Sequence, residues 1–268
     1  MKLMVIPPYQ NPKVKWLWVL REHVAEMRER GQLAGVEVDI DEGYFIDSTT
    51  EWRDEEIFAH CALGLIKKVR EYSEKGVYDA IVLTGGVDVG FPPARLVSKI
   101  PVVGVAHSSL HVASLIGERC CIIQSTSPGA LVARHAAERY GLSHKLISVR
   151  SCGHSTAQMY ALINRFPDNK RERFKLPEVN KVVDDITSQG IAAIEKERVD
   201  CLILVNEAMQ TFKDEVKQRI DKAGYGEITI IGGFAAAVEM AKSMVNLKLV
   251  QLRRAYPNDA MLAKPEFY

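Results

Sequence analysis

The sequence predicts an α/β fold: two pseudo-symmetric, doubly wound lobes, each a mainly parallel sheet flanked by helices, with the active site in the interlobe cleft. Three observations predict it. First, IPVVGVAHSSLHVASLIG (Ile100–Gly117) and ITIIGGFAAAVEMAKSMV (Ile228–Val245) resemble each other, and so do the pieces before them, YDAIVLTGG (Tyr78–Gly86) and VDCLILVNE (Val199–Glu207). Placing Gly104 on Gly232 keeps apolar against apolar for most of the following helix. Second, short Val/Ile/Leu runs alternate with longer helical patterns, as in βαβ units. Third, several of those runs are continuously apolar, the mark of strands buried on both faces of a parallel sheet.

In chain order, the strand candidates are Leu3–Pro7, Val36–Ile40, Ala80–Leu83, Val102–Ala106, Cys120–Gln124, Leu146–Val149, Cys201–Val205 and Ile228–Ile231. Between them, helical spacing covers Val14–Arg30, Asp54–Lys75, Gly129–Tyr140, Asn180–Lys196 and Met209–Ala223. Gly31, Gly76, Gly141 and Gly224 follow four of these, as helix C-terminal signals do. Two segments break the rhythm. Gly43–Arg53 reads as a long loop over the cleft. Ser151–Pro177 is a basic insertion whose dense charge reads as a solvated excursion or an oligomer contact. The tail, Ala255–Tyr268, is expected to wrap back over the first lobe. The repeat sets the boundaries: residues 1–107 with 236–268 form lobe 1, and 108–235 form lobe 2.

The chain has 268 residues, 47% hydrophobic and 26% charged, with a formal net charge of +1. That balance gives no electrostatic case for nucleic acid or an anionic membrane surface. No stretch approaches the roughly 18–20 apolar residues of a membrane span, and no leader is expected from the short run in MKLMVIPPYQ. Five cysteines, two of them adjacent in a strand candidate, favour free buried thiols in a reducing cytoplasm.

In open parallel sheets ligands bind beyond the carboxyl ends of the strands, near a switch point in strand order. The rule nominates Pro7–Asn11, Thr84–Asp88 and His107–Ser109 in the first half, and Gln124–Ser127, Asn206–Glu207 and Gly232–Phe234 in the second. Backbone N–H groups there suit a small carboxylate or an imide-like carbonyl. GGVDVGF is neither a Walker A loop nor a dinucleotide fingerprint. Tight turns after strands account equally well for any single one of these glycines.

The stretch YDAIVLTGGVDVGFPPARLVSKIPVVGVAHSSLHVASLIGERCCIIQ resembles the central part of the Asp/Glu/hydantoin racemase superfamily, hydantoin racemases above all. VDCLILVNEAM and ITIIGGFAAAVEMAKSMV resemble its second half. The resemblance implies two pseudo-symmetric lobes, a chain that returns to lobe 1 at its end, no organic cofactor or metal, a small-molecule substrate between the lobes, and a homo-oligomer. It also implies proton transfer at an acidified carbon between two cysteines, one from each lobe. Here the places of those cysteines are taken by Thr84-Gly85-Gly86 and by Asn206, followed by Glu207.

With the thiol pair missing, other groups must carry any chemistry. Glu207, in a partly dry cleft, is the first candidate base; the competing reading is a helix N-terminal glutamate favoured by the dipole. His107 stands where hydantoin racemases show a glutamate and reads as acid–base partner or as a packed, capping histidine. Asp88, facing Glu207 by pseudo-symmetry, reads as a second carboxyl or as a turn residue. Asn11, Thr84, Gly85, Gly86, Gln124, Ser125, Thr126 and Asn206 are candidates for substrate binding, or for local turns and caps. Tyr9 and Phe234 either line the pocket or belong to the core. His107 and His111 have metal-ligand spacing, but no HExxH glutamate accompanies them and no metal is expected. The reading favoured by the sequence is proton transfer next to a carbonyl of a hydantoin-, imide- or amino-acid-derived substrate. Hydrolytic or lytic cleavage with Glu207 activating water, and a binding protein without catalysis, stand as alternatives.

Overall fold

A computed structural model describes residues 1–10, 16–46, 55–167 and 169–257. The first sheet contains β1 (Lys2–Ile6), β2 (Glu37–Ile40), β3 (Ala80–Leu83) and β4 (Val102–Gly104), in the order β2-β1-β3-β4. The second contains β5 (Cys120–Gln124), β6 (Leu146–Ser151), β7 (Cys201–Leu204) and β8 (Thr229–Gly232), in the order β6-β5-β7-β8. Every pairing is parallel. The two orders are identical under the internal repeat, so each lobe has its switch point between corresponding strands: β1 and β3 in one, β5 and β7 in the other. β3, β5 and β7 are buried at every position, as the unbroken apolar runs require.

Helices cover both faces. α1 (Trp16–Glu29), α2 (Glu55–Glu74) and α3 (Phe91–Val97) belong to the first sheet; α5 (Ser127–Arg139), α8 (Pro177–Glu197) and α10 (Lys213–Lys222) belong to the second. Two helices cross over. α4 (Val105–Ile116) leaves β4 and packs on β7 and β8, while α11 (Gly233–Asn246) leaves β8 and packs on β3 and β4. α4 and α11 also pack against each other. Their N-termini meet where a Cβ on Gly233 would lie 2.6 Å from Val105 Cγ1, so the missing side chain at one position makes room for its repeat mate at the other.

The differences from the sequence reading have local causes. The strand expected to reach Ala106 stops at Gly104, because a side chain from the preceding loop captures the N–H groups of Ala106 and His107 and starts α4 there. α5 and α8 begin earlier than expected because Pro128 and Pro177 stand in their first turns, where a fixed φ and a missing N–H cost nothing. The Met209–Ala223 pattern is two helices, α9 (Glu207–Gln210) and α10, separated at Thr211 and the fully buried Phe212. Gly31, Gly76, Gly141 and Gly224 all take positive φ at helix ends. The start of the 43–53 loop lies along the segment after β1, with Gln10 N–H donating to Tyr44 O at 2.7 Å and Ile46 N–H to Gln10 O at 3.1 Å; residues 47–53 lie outside the described residues. Before the undescribed residues 258–268, the tail crosses lobe 1. There Gln251 Nε2 donates to Ile100 O at 2.9 Å and Arg95 Nη1 to Tyr256 Oη at 2.7 Å.

The largest departure is the 151–177 segment, which is not a wet excursion. It forms β6's end, α6 (Thr156–Ile163) and α7 (Lys170–Arg173), and it docks on α1 of the other lobe. Arg173 is fully buried and donates to both carboxylate oxygens of Glu22, at 2.9 and 2.8 Å, and to Phe166 O at 2.9 Å. Lys170 adds an ion pair to Glu26. Burial alone would raise the Glu22 pKa, but Arg173 holds it below the ordinary 4.5. The unfolded chain therefore takes up this proton first as pH falls, so the clasp stabilises above about 4.5 and is lost as pH drops through the lower folded value.

Removing one partner of a buried pair strands the other. Arg173→Met is expected to cost about 3–5 kcal/mol, and Glu22→Leu with Arg173→Met to recover most of it, read from urea midpoints at pH 7.

Candidate active site between the lobes

The loops after β3 and β7, where the sequence reading places the family's two cysteines, touch each other. Glu207 opens α9 from lobe 2, and its Oε1 accepts the N–H of Gly85 from lobe 1 at 2.8 Å. The side chain is fully buried, and Oε2 has no protein partner. Burial pushes the Glu207 pKa up to about 7; the Gly85 hydrogen bond opposes that shift and the nearby Asp88 charge adds to it. His23 Nε2 lies 2.8 Å from Glu207 O and, with a carbonyl opposite, must donate, so the backbone of the loop is tied to α1.

At the first of those places neither glycine has room for a side chain. Gly85 has φ +93°, which side chains avoid, and a Cβ there would stand 2.9 Å from Pro8 Cγ. A Cβ on Gly86 would meet Val205 Cγ2 at 2.9 Å. At the second position Asn206 is an N-cap: Oδ1 accepts from Ala208 N–H at 2.9 Å, and Nδ2 donates to Thr156 Oγ1 at 3.1 Å. All five cysteines are free and buried, and desolvation raises their pKa, to about 12 for Cys61 and Cys201 and about 11 for Cys120 and Cys121.

Asp88 and His107 do not join Glu207 as the sequence suggested. Asp88, at φ 51°, accepts from Ala106 N–H at 2.9 Å, His107 N–H at 2.6 Å and Tyr140 O–H at 2.8 Å, so both oxygens are occupied. It is the cap of α4. Burial raises its pKa to about 6 against these hydrogen bonds. Lobe 2 repeats the device with a neutral group: Gln210 Oε1 accepts from Phe234 N–H at 2.9 Å at the start of α11. The His107 ring packs among His111, Tyr140 and Phe91, with centroids at 4.3, 4.9 and 5.0 Å. Burial lowers its pKa to about 3, which leaves a neutral imidazole rather than an imidazolium acid near pH 7. His111 Nδ1 donates to His107 O at 3.0 Å, and among the described residues no group of three His, Cys, Asp or Glu is placed to hold a metal.

Phe234 is wholly buried beside His23, with ring centroids 5.9 Å apart, and is core rather than pocket lining. Thr126 is the N-cap residue of α5 without a side-chain hydrogen bond. Ser125 Oγ accepts from Thr156 Oγ1 at 3.4 Å. Asn11 lies outside the described residues. Thr84 Oγ1 and Gln124 Nε2, at the ends of β3 and β5, are buried without protein partners. Tyr9, 2% exposed, stands edge-on to Trp16 with centroids 5.5 Å apart.

The sequence reading passes over Tyr160, Trp16, Thr156 and Gln210. Tyr160, from α6, is fully buried beside Trp16 at a centroid distance of 5.1 Å, and its hydroxyl has no protein partner. Burial raises its pKa well above the phenol value, and the charges of Glu207 and Tyr9 add to this. The only sequence signal for α6 is the capping box Ser155-x-x-Gln158. A buried polar atom without a partner costs about 1–3 kcal/mol. α6, which carries Tyr160, packs against α9, which carries Glu207, and the Glu207 charge acts on the phenol. Thr84 Oγ1 and Gln124 Nε2 stand at the ends of β3 and β5, so this is where a ligand's polar groups would be matched.

A two-lobed α/β protein with buried carboxyl groups at paired strand ends is the class these features define. The Asp/Glu/Hydantoin racemase family model matches residues 19–241, and the chain belongs to that family. It is 26% identical over 184 residues to a hydantoin racemase of Pseudomonas sp. (strain NS671), a match covering 69% of this chain and 65% of that protein, so under two thirds of the relative's length is spanned. Among solved structures, an allantoin racemase from Pseudomonas fluorescens superposes with a TM-score of 0.74 at 17% identity, over 96% of this chain and 97% of that one. One from Klebsiella pneumoniae does so at 0.71 and 22%, over 96% and 94%. These two likenesses are of fold.

Cysteine should not return easily. Gly85→Cys is expected to lose about 1–2 kcal/mol from its backbone conformation alone, and Asn206→Cys about 1 kcal/mol with its cap. Urea unfolding of each variant measures both.

Proposed function

We propose that this protein is a racemase-type enzyme that moves a proton on and off a carbon next to a carbonyl in a small hydantoin-, imide- or amino-acid-derived substrate, with Glu207 doing the work of the family's thiols. The observation that carries the reading is a fully buried carboxyl, bonded across the lobes to Gly85 N–H, with its second oxygen unpartnered. A general base works best with a pKa near the working pH, and burial brings Glu207 to about 7. The Gly85 N–H fixes Oε1 and leaves Oε2 for the substrate's C–H. Hydrogen-bond donors at the strand ends suit the charge that develops on the flanking oxygen. Five buried free thiols fit a reducing cytoplasm, and self-association belongs to the same family-based reading.

The test is deuterium incorporation from heavy water into the enantiomers of 5-methylhydantoin, 5-benzylhydantoin, allantoin, alanine and glutamate, followed with optical rotation and ring opening. Exchange with loss of optical activity is expected for at least one hydantoin, with kcat/KM rising as pH passes through about 7; Glu207→Gln should abolish it. Ring opening without exchange, or full exchange in Glu207→Gln, would sink the assignment. The stability profile has the opposite slope. The folded protein holds a proton that the unfolded chain releases above 4.5, so stability falls as pH rises from 4.5 to about 7, and Glu207→Gln should flatten that part of the curve.

A further inference from the structure

We propose that Tyr160, carried into the interlobe site by the 151–177 segment, is the hydrogen-bond donor that meets the substrate's reacting carbonyl oxygen beside Glu207. The inference rests on the reading of Glu207 as the base. A phenol that is 0% exposed and has no protein partner is a burden on the free protein unless something bound uses it. Yet the surrounding structure holds it in place from several sides. The Ser155–Gln158 capping box starts its helix, with Gln158 N–H donating to Ser155 Oγ at 3.2 Å and Ser155 N–H to Gln158 Oε1 at 2.8 Å. Thr156 ties the same turn to Asn206, the neighbour of Glu207, and to Ser125. The Trp16 ring braces the phenol, and the Arg173–Glu22 clasp anchors the far end of the segment to α1.

Burial and the neighbouring carboxylate keep the phenol protonated throughout the neutral range, so it is a donor whenever Glu207 is a base. In the step, Glu207 takes the hydrogen on the carbon next to the carbonyl as a proton. The electron pair left behind moves into the carbon–carbon bond, and the carbonyl pair moves onto oxygen. The Tyr160 O–H strengthens its hydrogen bond to that oxyanion and keeps its own proton. Return of the proton to the face it left reverses every shift, and its return after the planar enolate has turned over in the site gives the other enantiomer, with no redox partner or leaving group in either case.

Tyr160→Phe separates this role from a structural one. With the panel member that wild type exchanges fastest, exchange in heavy water is expected to fall on the order of 10²–10³-fold in kcat, the loss typical of a missing oxyanion donor, with KM changed far less. The rise with pH that belongs to Glu207 should persist at the lower rate. Because the lost hydroxyl has no protein partner, Tm should stay level or rise. In a Glu207→Gln background, where exchange is dead, adding Tyr160→Phe should weaken binding of 5-benzylhydantoin by about 2- to 10-fold, read from tryptophan fluorescence. Tyr160→Phe exchanging at the wild-type rate overturns the donor role and leaves the Glu207 reading standing. A Tm that falls together with exchange makes Tyr160 a packing residue and overturns it as well. Full exchange in Glu207→Gln removes the base, and with it both readings; so does a wild-type protein that neither exchanges nor binds any member of the panel.

Discussion

A carboxyl group withdrawn from water keeps its charge only as far as its neighbours replace the lost solvent, and Glu207 is given the backbone N–H of Gly85 and, to a smaller extent, its own. The bond from Gly85 holds the side chain's geometry, and the two together do not fully compensate its burial. Much else in the molecule serves that balance. The left-handed turn at Gly85 aims the N–H. His23 holds the backbone behind the carboxyl, and Asp88, buried and occupied elsewhere, adds repulsion that raises the pKa further. More and stronger donors on the same carboxylate would drive its pKa below the neutral range and leave a weak base.

The internal repeat is read by the structure in two ways. Scaffold positions are conserved in form: Gly104 and Gly232 both end a strand and precede a crossing helix, and Asp88 and Gln210 both cap that helix. The site positions diverge. Gly85 supplies only backbone, whereas Asn206 and Glu207 supply side chains, so at these paired places the side-chain chemistry lies on lobe 2. Asymmetry of this kind fits a site in which one face of the substrate meets the base and the rest meets hydrogen-bond donors.

Strands, switch points and the paired loops were legible in the sequence, because continuous apolar runs and strand-end polar residues report burial and topology directly. That Glu207 stands at a strand end facing the other lobe was legible from its position in the repeat. The fates of Asp88 and His107 were not, since residue type and spacing are the same for a carboxyl aimed at a substrate and one closing a helix N-terminus. Tyr160 was hidden for a different reason. It sits in a segment whose charge density suggests solvent, and long-range contacts such as the Arg173–Glu22 pair, 151 residues apart in the chain, turn that segment inward.

The exchange of α4 and α11 between the sheets binds the two lobes' fates together. Each sheet is covered on one face by a helix whose strand lies in the other lobe, so neither half of the chain can bury its own apolar face unaided. A chain divided between β4 and β5 would leave each fragment without a wall of its core. Melting should accordingly run as one cooperative transition, with amide protection in β3 and β7 lost together rather than lobe by lobe. Motion that admits a small molecule must therefore come from the loops and the docked α6–α7 segment, around a centre that does not come apart.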